Sequence, residues 1–243
     1  MTETTIQHWR DTDLDDAARR FVEDGALFAG QVLTQDELAE VRHHLDRYAK
    51  YVIPRLPEEI VRKTVRIEED GVSVRSAYFM DQIDEWFAEF GNREDFKDLL
   101  RRVTGWEPEL YVVETFNKPA GIGSAASAHQ DCAFLPLEPM DVVHLWIAID
   151  DATIENGALR YWMGSHRGGL REHIPAQWGQ QVGHEFVGDS GEATVMEVPA
   201  GSAAIHSGLI IHDSPPNTSS KRRLGLLCGY RGAHTRYLTE NAG

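Results

Sequence analysis

From residue 109 onward the chain runs in short apolar stretches: ELYVVETF, VVHLWIAID, ALRYW, ATVMEV, SAAIHSGLIIH and RLGLLCGY, each closed by Gly, Pro or Asn nearby. Many short runs of this kind in succession predict an all-β sandwich or barrel. The residues before them read differently. DLDDAARRFVEDG predicts a short helix closed by Gly25. TQDELAEVRHHLDRYAKYV opens with Thr34 and Glu37 at capping-box spacing, and Leu38, Val41, Leu45 and Tyr48 then form one apolar stripe that fits a core. VRIEEDGVSVRSAYF predicts a hairpin turning at Asp70-Gly71, and QIDEWFAEFG and EDFKDLLRRVTG predict two more helices. The expected fold is α+β, with helices over about 1–104 packed around a β-core over about 105–235. That core is expected to take a double-stranded β-helix, or jelly-roll, cupin-like topology. No repeat or linker divides the chain, so 1–243 is expected to be a single domain.

Charge narrows the partners. A net charge of −15 argues against nucleic acid or an anionic membrane as the main partner. No apolar run approaches a membrane span, and the N-terminus, MTETTIQHWRDTDLDD, is acidic and unlike a secretory signal, so the expected location is cytoplasmic. The two cysteines, Cys132 and Cys228, are too few for a disulfide framework and are expected to be buried free thiols. One local exception stands out. KRRLGLLCGYRGAHTR, 221–236, holds five Lys/Arg and no acid, and reads either as a solvated basic edge or as an anion pocket.

The residues that can carry chemistry are His129 and Asp131 in AHQDCAF, which would share a face if the stretch were extended. A His-x-Asp pair alone is weak. His212, at the end of the apolar run IHSGLIIH and before the turn Asp213-Ser214-Pro215-Pro216-Asn217, offers a third ligand on a distant strand. Two imidazoles and one carboxylate with open positions form the ligand set of non-haem Fe(II) oxygenases. Arg223 opens the next strand and, if buried, could grip a distal carboxylate at two points, which favours the anion-pocket reading of the basic segment. His206 is the rival to His212 and Arg222 the rival to Arg223. His144 reads as a satisfied barrel histidine and His166 as a brace for a turn. Asn156-Gly157 reads as a turn, with Asp151 and Glu155 beside it assigned no chemistry.

These motifs, with NKPAG, HQD, LWIAIDDATIENGALRYWMGSH and IHSGLIIHDSPPNTSSKRR, resemble the phytanoyl-CoA dioxygenase (PhyH-like) family of Fe(II)/2-oxoglutarate oxygenases over 105–232. The resemblance implies that His129, Asp131 and His212 bind Fe(II) and that Arg223 binds the far carboxylate of 2-oxoglutarate. It also implies that Ser214 and Trp146 line the co-substrate pocket. The chain departs from the family pattern at Met163-Gly164-Ser165-His166 and Gly201-Ser202, neither of which touches an implied ligand. The implied activity is oxidation of a small molecule with O₂ and 2-oxoglutarate, releasing succinate and CO₂, with hydroxylation as the default outcome. Desaturation, cyclisation or epimerisation would need only a different substrate pose. The rival readings are a non-catalytic cupin-like binding protein and a zinc hydrolase, the latter disfavoured because no general base stands near the motif. Substrate identity and oligomeric state are not legible. The pocket walls are expected from 65–80, 119–128 and 167–193, the last reading as a lid or a plain surface loop.

Overall fold

The structure, a computed structural model, describes residues 7–177, 179–183 and 192–238. Its helices follow from local capping. Helix α1 (Leu14–Asp24) starts where the Asp13 carboxylate accepts the Asp15 and Asp16 N–H groups, and it stops at Gly25, whose φ of 80° suits a left-handed cap. Helix α2 (Gln35–Arg47) begins with the expected capping box, Thr34 and Glu37 each satisfying the other's backbone N–H. Its stripe of Leu38, Val41, Leu45 and Tyr48 is buried. Helix α3 (Glu58–Thr64) leads to the hairpin of β2 and β3, given below. Helices α4 (Met80–Ile83), α5 (Glu85–Gly91) and α6 (Glu94–Thr104) follow, so QIDEWFAEFG forms two short helices rather than one.

The strands build two facing sheets and two separate two-stranded ribbons. In chain order they begin with β1 (Ala26–Gln31), β2 (Val65–Ile67), β3 (Val74–Ala77), β4 (Pro108–Lys118), β5 (Ala126–His129), β6 (Leu137–Glu138), β7 (Val142–Ala148) and β8 (Leu159–Tyr161). They continue with β9 (His173–Ala176), β10 (Gly179–Val182), β11 (Thr194–Met196), β12 (Ser202–Ser207), β13 (His212–Ser214), β14 (Arg223–Gly232) and β15 (Arg236–Tyr237). The larger sheet runs β1-β12-β7-β14-β4-β3-β2 and the smaller β11-β8-β13-β5, with every described pairing within them antiparallel. These two sheets form the jelly-roll core, and the ribbons are β9-β10 and β6-β15.

Alternation along the central strands gives each face its task. Val143, Leu145 and Ile147 of β7, Ala203 and Ile205 of β12, and Leu224, Leu226, Cys228 and Tyr230 of β14 pack with helical residues in the main core. The intervening His144, Trp146 and Ala148, with Ala204 and His206, face the smaller sheet instead. Both faces are covered, which is why these strands read as nearly continuous apolar runs. The two cysteines are buried and free. Asp70 accepts the Val72 and Ser73 N–H groups at the hairpin tip, where Gly71 has φ 73°. Among the described residues no helix is long and apolar enough to cross a membrane.

Candidate metal centre and co-substrate pocket

His129 and Asp131 do not share a face of one strand, as extended alternation would require. β5 ends at His129, and Asp131 starts a 3-10 turn over Asp131–Phe134. The turn folds the carboxylate back toward the imidazole, leaving His129 Nε2 3.3 Å from Asp131 Oδ1. His212 does not end an apolar strand either. The run SAAIHSGLIIH breaks after Ser207, where Gly208 lies so close to Cys132 and Val142 that a Cβ would come within 2.9 Å of both. The chain then crosses to the smaller sheet, where His212 opens β13. There it stands directly opposite His129 in the β5–β13 register, with ring centroids 4.4 Å apart.

The ligand atoms of His129, Asp131 and His212 all lie within 4.8 Å of one another. Each imidazole is oriented from behind. His129 Nδ1 donates to the Ser127 carbonyl at 2.7 Å and His212 Nδ1 to the Ile210 carbonyl at 3.1 Å. With Nδ1 protonated, each Nε2 presents a lone pair toward Asp131, the arrangement a metal needs.

A second tier, which sequence reasoning missed, stands behind the carboxylate. His144 Nδ1 lies 2.8 Å from Asp131 Oδ2 and its Nε2 lies 2.5 Å from the Tyr111 hydroxyl. His206 Nε2 is 3.4 Å from the same Oδ2, and its Nδ1 is 3.2 Å from the Tyr161 hydroxyl. In the tautomers that satisfy these contacts, each tyrosine donates to a histidine and each histidine donates to Asp131. His144 is thus satisfied, as expected, but its partner is Asp131. His144 and His206 also form a metal-sized group with Asp131. Their remaining nitrogens face tyrosine hydroxyls, however, while His129 and His212 are held by carbonyls. The only legible signal was a histidine inside an otherwise apolar run.

Burial disfavours charge on all these groups, and the balance then differs by residue. For Asp131, the surrounding imidazoles outweigh burial and hold its pKa well below the usual carboxylate range. His129 is raised despite burial, because its protonated form would donate to Asp131 and meet that residue's charge. His212 is lowered to about 3, because burial and the neighbouring imidazoles prevail over Asp131. A neutral His212 is the form that ligates.

Arg223 stands on the larger sheet, facing the metal group. Only 2% exposed, it has its guanidinium 5.4 Å from the Trp146 ring and Nη2 3.5 Å from the Ser214 hydroxyl, and its Nε has no hydrogen-bond partner among the described residues. Burial and the charge of Arg75 lower its pKa to about 10. Gly225 makes room for Trp146, since a Cβ there would lie 2.3 Å from the indole. Arg222 points the other way and is paired with Asp150 at 2.8 Å. The turn after His212 is pinned by Lys118 Nζ, which donates to the Ser124, Ser214 and Pro215 carbonyls. Buried Asn217 adds bonds to the Lys118 and Lys221 carbonyls. Asp213 is taken by Arg160 at 2.8 and 2.5 Å.

The remaining expectations fall into place around this centre. His166 donates to the Val22 carbonyl as a brace, and Asn156 closes its turn on Thr153 and Asp151. Of the expected wall 167–193, residues 178 and 184–191 lie outside the described residues; the rest includes the β9–β10 hairpin.

Comparison with known proteins agrees with this architecture. The family described as Phytanoyl-CoA dioxygenase (PhyH) matches residues 21–225. L-proline trans-4-hydroxylase of Streptomyces griseoviridis is 29% identical over 237 residues, covering 88% of this chain and 85% of that protein. A probable alpha-ketoglutarate-dependent hypophosphite dioxygenase of Stutzerimonas stutzeri is 32% identical over 146 residues, 58% of this chain and 51% of the relative. A phytanoyl-CoA dioxygenase domain-containing protein 1 homolog of Dictyostelium discoideum is 26% identical, and the match spans 58% of its length. The chain thus spans little more than half the length of these last two relatives. Among solved structures, EctD from S. alaskensis with 2-oxoglutarate and 5-hydroxyectoine superposes with a TM-score of 0.78 at 17% identity, over 92% of this chain and 77% of that one. The non-heme monooxygenase ThoJ does so at 0.76 and 22%, over 92% and 80%. At those identities the structural likeness shows the fold alone.

Proposed function

The chain belongs to the phytanoyl-CoA dioxygenase family, and on that premise we propose that it is a non-haem Fe(II)- and 2-oxoglutarate-dependent oxygenase of a small organic molecule. One observation carries the reading. Arg223 is a buried guanidinium with an orphaned Nε and no carboxylate within its reach among the described residues, and it faces a group of two imidazoles and one carboxylate. Such a cation is costly unless an anion meets it. A dicarboxylate joining Arg223 to a metal at His129, Asp131 and His212 answers both halves of the site. A zinc hydrolase would leave Arg223 without a task.

Iron with 2-oxoglutarate and O₂ would supply the oxidising chemistry, releasing succinate and CO₂ as one oxygen atom enters the substrate. The chain's own contributions are geometric. Ser127 and Ile210 carbonyls hold the two imidazoles with Nε2 inward, and His144 and His206 fix the Asp131 carboxylate. Arg223 would fix the far end of the co-substrate, with Trp146 and Ser214 as neighbouring walls. His129, Asp131 and His212 would together hold the iron, and with the Asp131 carboxylate among them the chemistry supplied there would be oxygen transfer rather than halogen transfer. We read 1–243 as one domain carrying this activity.

Anaerobic addition of Fe(II) and 2-oxoglutarate to the purified protein is expected to produce a weak visible charge-transfer band, and admission of air to produce succinate. Neither signal would leave a cupin-like binding protein as the reading.

A further inference from the structure

The register sets out the side chains on the sheet face that looks toward the metal centre. Leu227 of β14 lies between Glu114 and Trp146, Gly225 between Phe116 and Ala148, and Gly229 between Val112 and His144. Paired residues on antiparallel strands point to the same side. Glu114 therefore shares a face with Trp146 and Arg223, one row from His144, which touches Asp131. It is about two strand spacings, roughly 10 Å, from Trp146. That position is beside the Arg223 pocket rather than in it.

Glu114 has no partner among the described residues: no hydrogen bond or ion pair reaches its carboxyl group. Cations near this face are engaged elsewhere: Lys118 with three carbonyls, and Arg75 with Glu68 and Ser124. Burial, with the charges of Asp131 and Asp81, pushes the Glu114 pKa up to about 8. An acid so placed opposes stability, and its apolar neighbours Val112 and Phe116 show what the strand would otherwise carry there.

The charges of the working site point the same way. The two positive charges of Fe(II) and the one of Arg223 are matched by the one negative charge of Asp131 and the two of 2-oxoglutarate. Glu114, once ionised, would be the excess, and a cation beside it would favour that ionised form. We propose that Glu114 binds a positively charged nitrogen of the substrate, which makes the substrate a small organic ammonium compound. The proposal rests on the oxygenase reading for this charge sum. Phe116 on the same face adds an aromatic surface suited to a cation.

Anaerobic calorimetric titration of the Fe(II)- and 2-oxoglutarate-loaded protein tests it. The probes are L-proline, L-lysine, piperidine and choline, each set against a nitrogen-free isostere. At least one cation is expected to bind roughly tenfold or more tightly than its isostere, and that margin is expected to vanish in Glu114→Ala and Glu114→Gln. Retention of the charge-transfer band shows that a variant is still folded, and Glu114→Gln, which keeps the shape, decides where Glu114→Ala loses it. A margin that survives in Glu114→Gln would overturn the proposal in favour of a neutral hydrogen bond. Equal binding of cations and isosteres, or no Glu114-dependent binding by any probe, would overturn it outright. A missing band in the unaltered protein counts against the oxygenase reading alone, because calorimetry reads the ammonium contact separately.

Discussion

Arg222 and Arg223 are neighbours in the chain and opposites in setting. Arg222 sits at the surface on Asp150, while Arg223 is buried with an unpartnered Nε. Removing a charge-assisted, two-point contact at a buried site costs about 2–4 kcal/mol, or roughly thirty- to a thousand-fold in affinity. Arg223→Ala is therefore expected to raise the KM for 2-oxoglutarate by that factor with little change in Fe(II) affinity, and Arg222→Ala to do far less. Similar rises in both variants, in a steady-state titration of 2-oxoglutarate, would contradict the facing of the strand. That facing was legible because adjacent strand residues point apart. The grouping of His129, Asp131 and His212 was also legible, although the route to it differs. Alternation on one strand would have aligned His129 and Asp131, whereas a 3-10 turn does so here. Glu114 was not legible: a single acid in ELYVVETF looks the same whether it faces solvent or the smaller sheet.

At the scale of elements, the proposed metal centre is a meeting of strands. β5 and β13 on the smaller sheet bring His129 and His212 opposite each other, and β7 and β12 on the larger sheet place His144 and His206 behind Asp131. The second pair holds one carboxylate oxygen through hydrogen bonds, and losing such support costs metal affinity about ten- to a hundred-fold. His144→Leu is accordingly expected to weaken Fe(II) binding by that factor, read from a metal titration. The KM for 2-oxoglutarate at saturating iron should hold. A parallel loss of 2-oxoglutarate affinity would mean that the cavity itself had collapsed. Helix ends were clear from the sequence because capping is local, as at Thr34 and Gly25. The break between β12 and β13 was hidden. It depends on Gly208 packing against Cys132 and Val142, which are remote in sequence, and IHSGLIIH reads as one apolar run without them.

For the molecule as a whole, the two halves of the site belong to different sheets. The proposed metal ligands His129 and His212 ride on the smaller sheet, and Arg223 and Trp146 ride on the larger. A dicarboxylate bound between them would tie the sheets together face to face. A ligand that binds only the folded state stabilises it by RT ln(1 + [L]/Kd), about 2.7 kcal/mol at a hundredfold excess over Kd. Fe(II) alone would draw its histidine ligands from the smaller sheet only, and 2-oxoglutarate alone would lack the metal proposed to hold its keto acid end. The rise in Tm with both, measured anaerobically, is therefore expected to exceed the sum of the rises with each alone. In Arg223→Ala the increment from Fe(II) should remain while the extra increment from 2-oxoglutarate largely disappears. A sum that is merely additive in the unaltered protein would show that the two bind independently, and the picture of one ligand spanning both sheets would have to be given up.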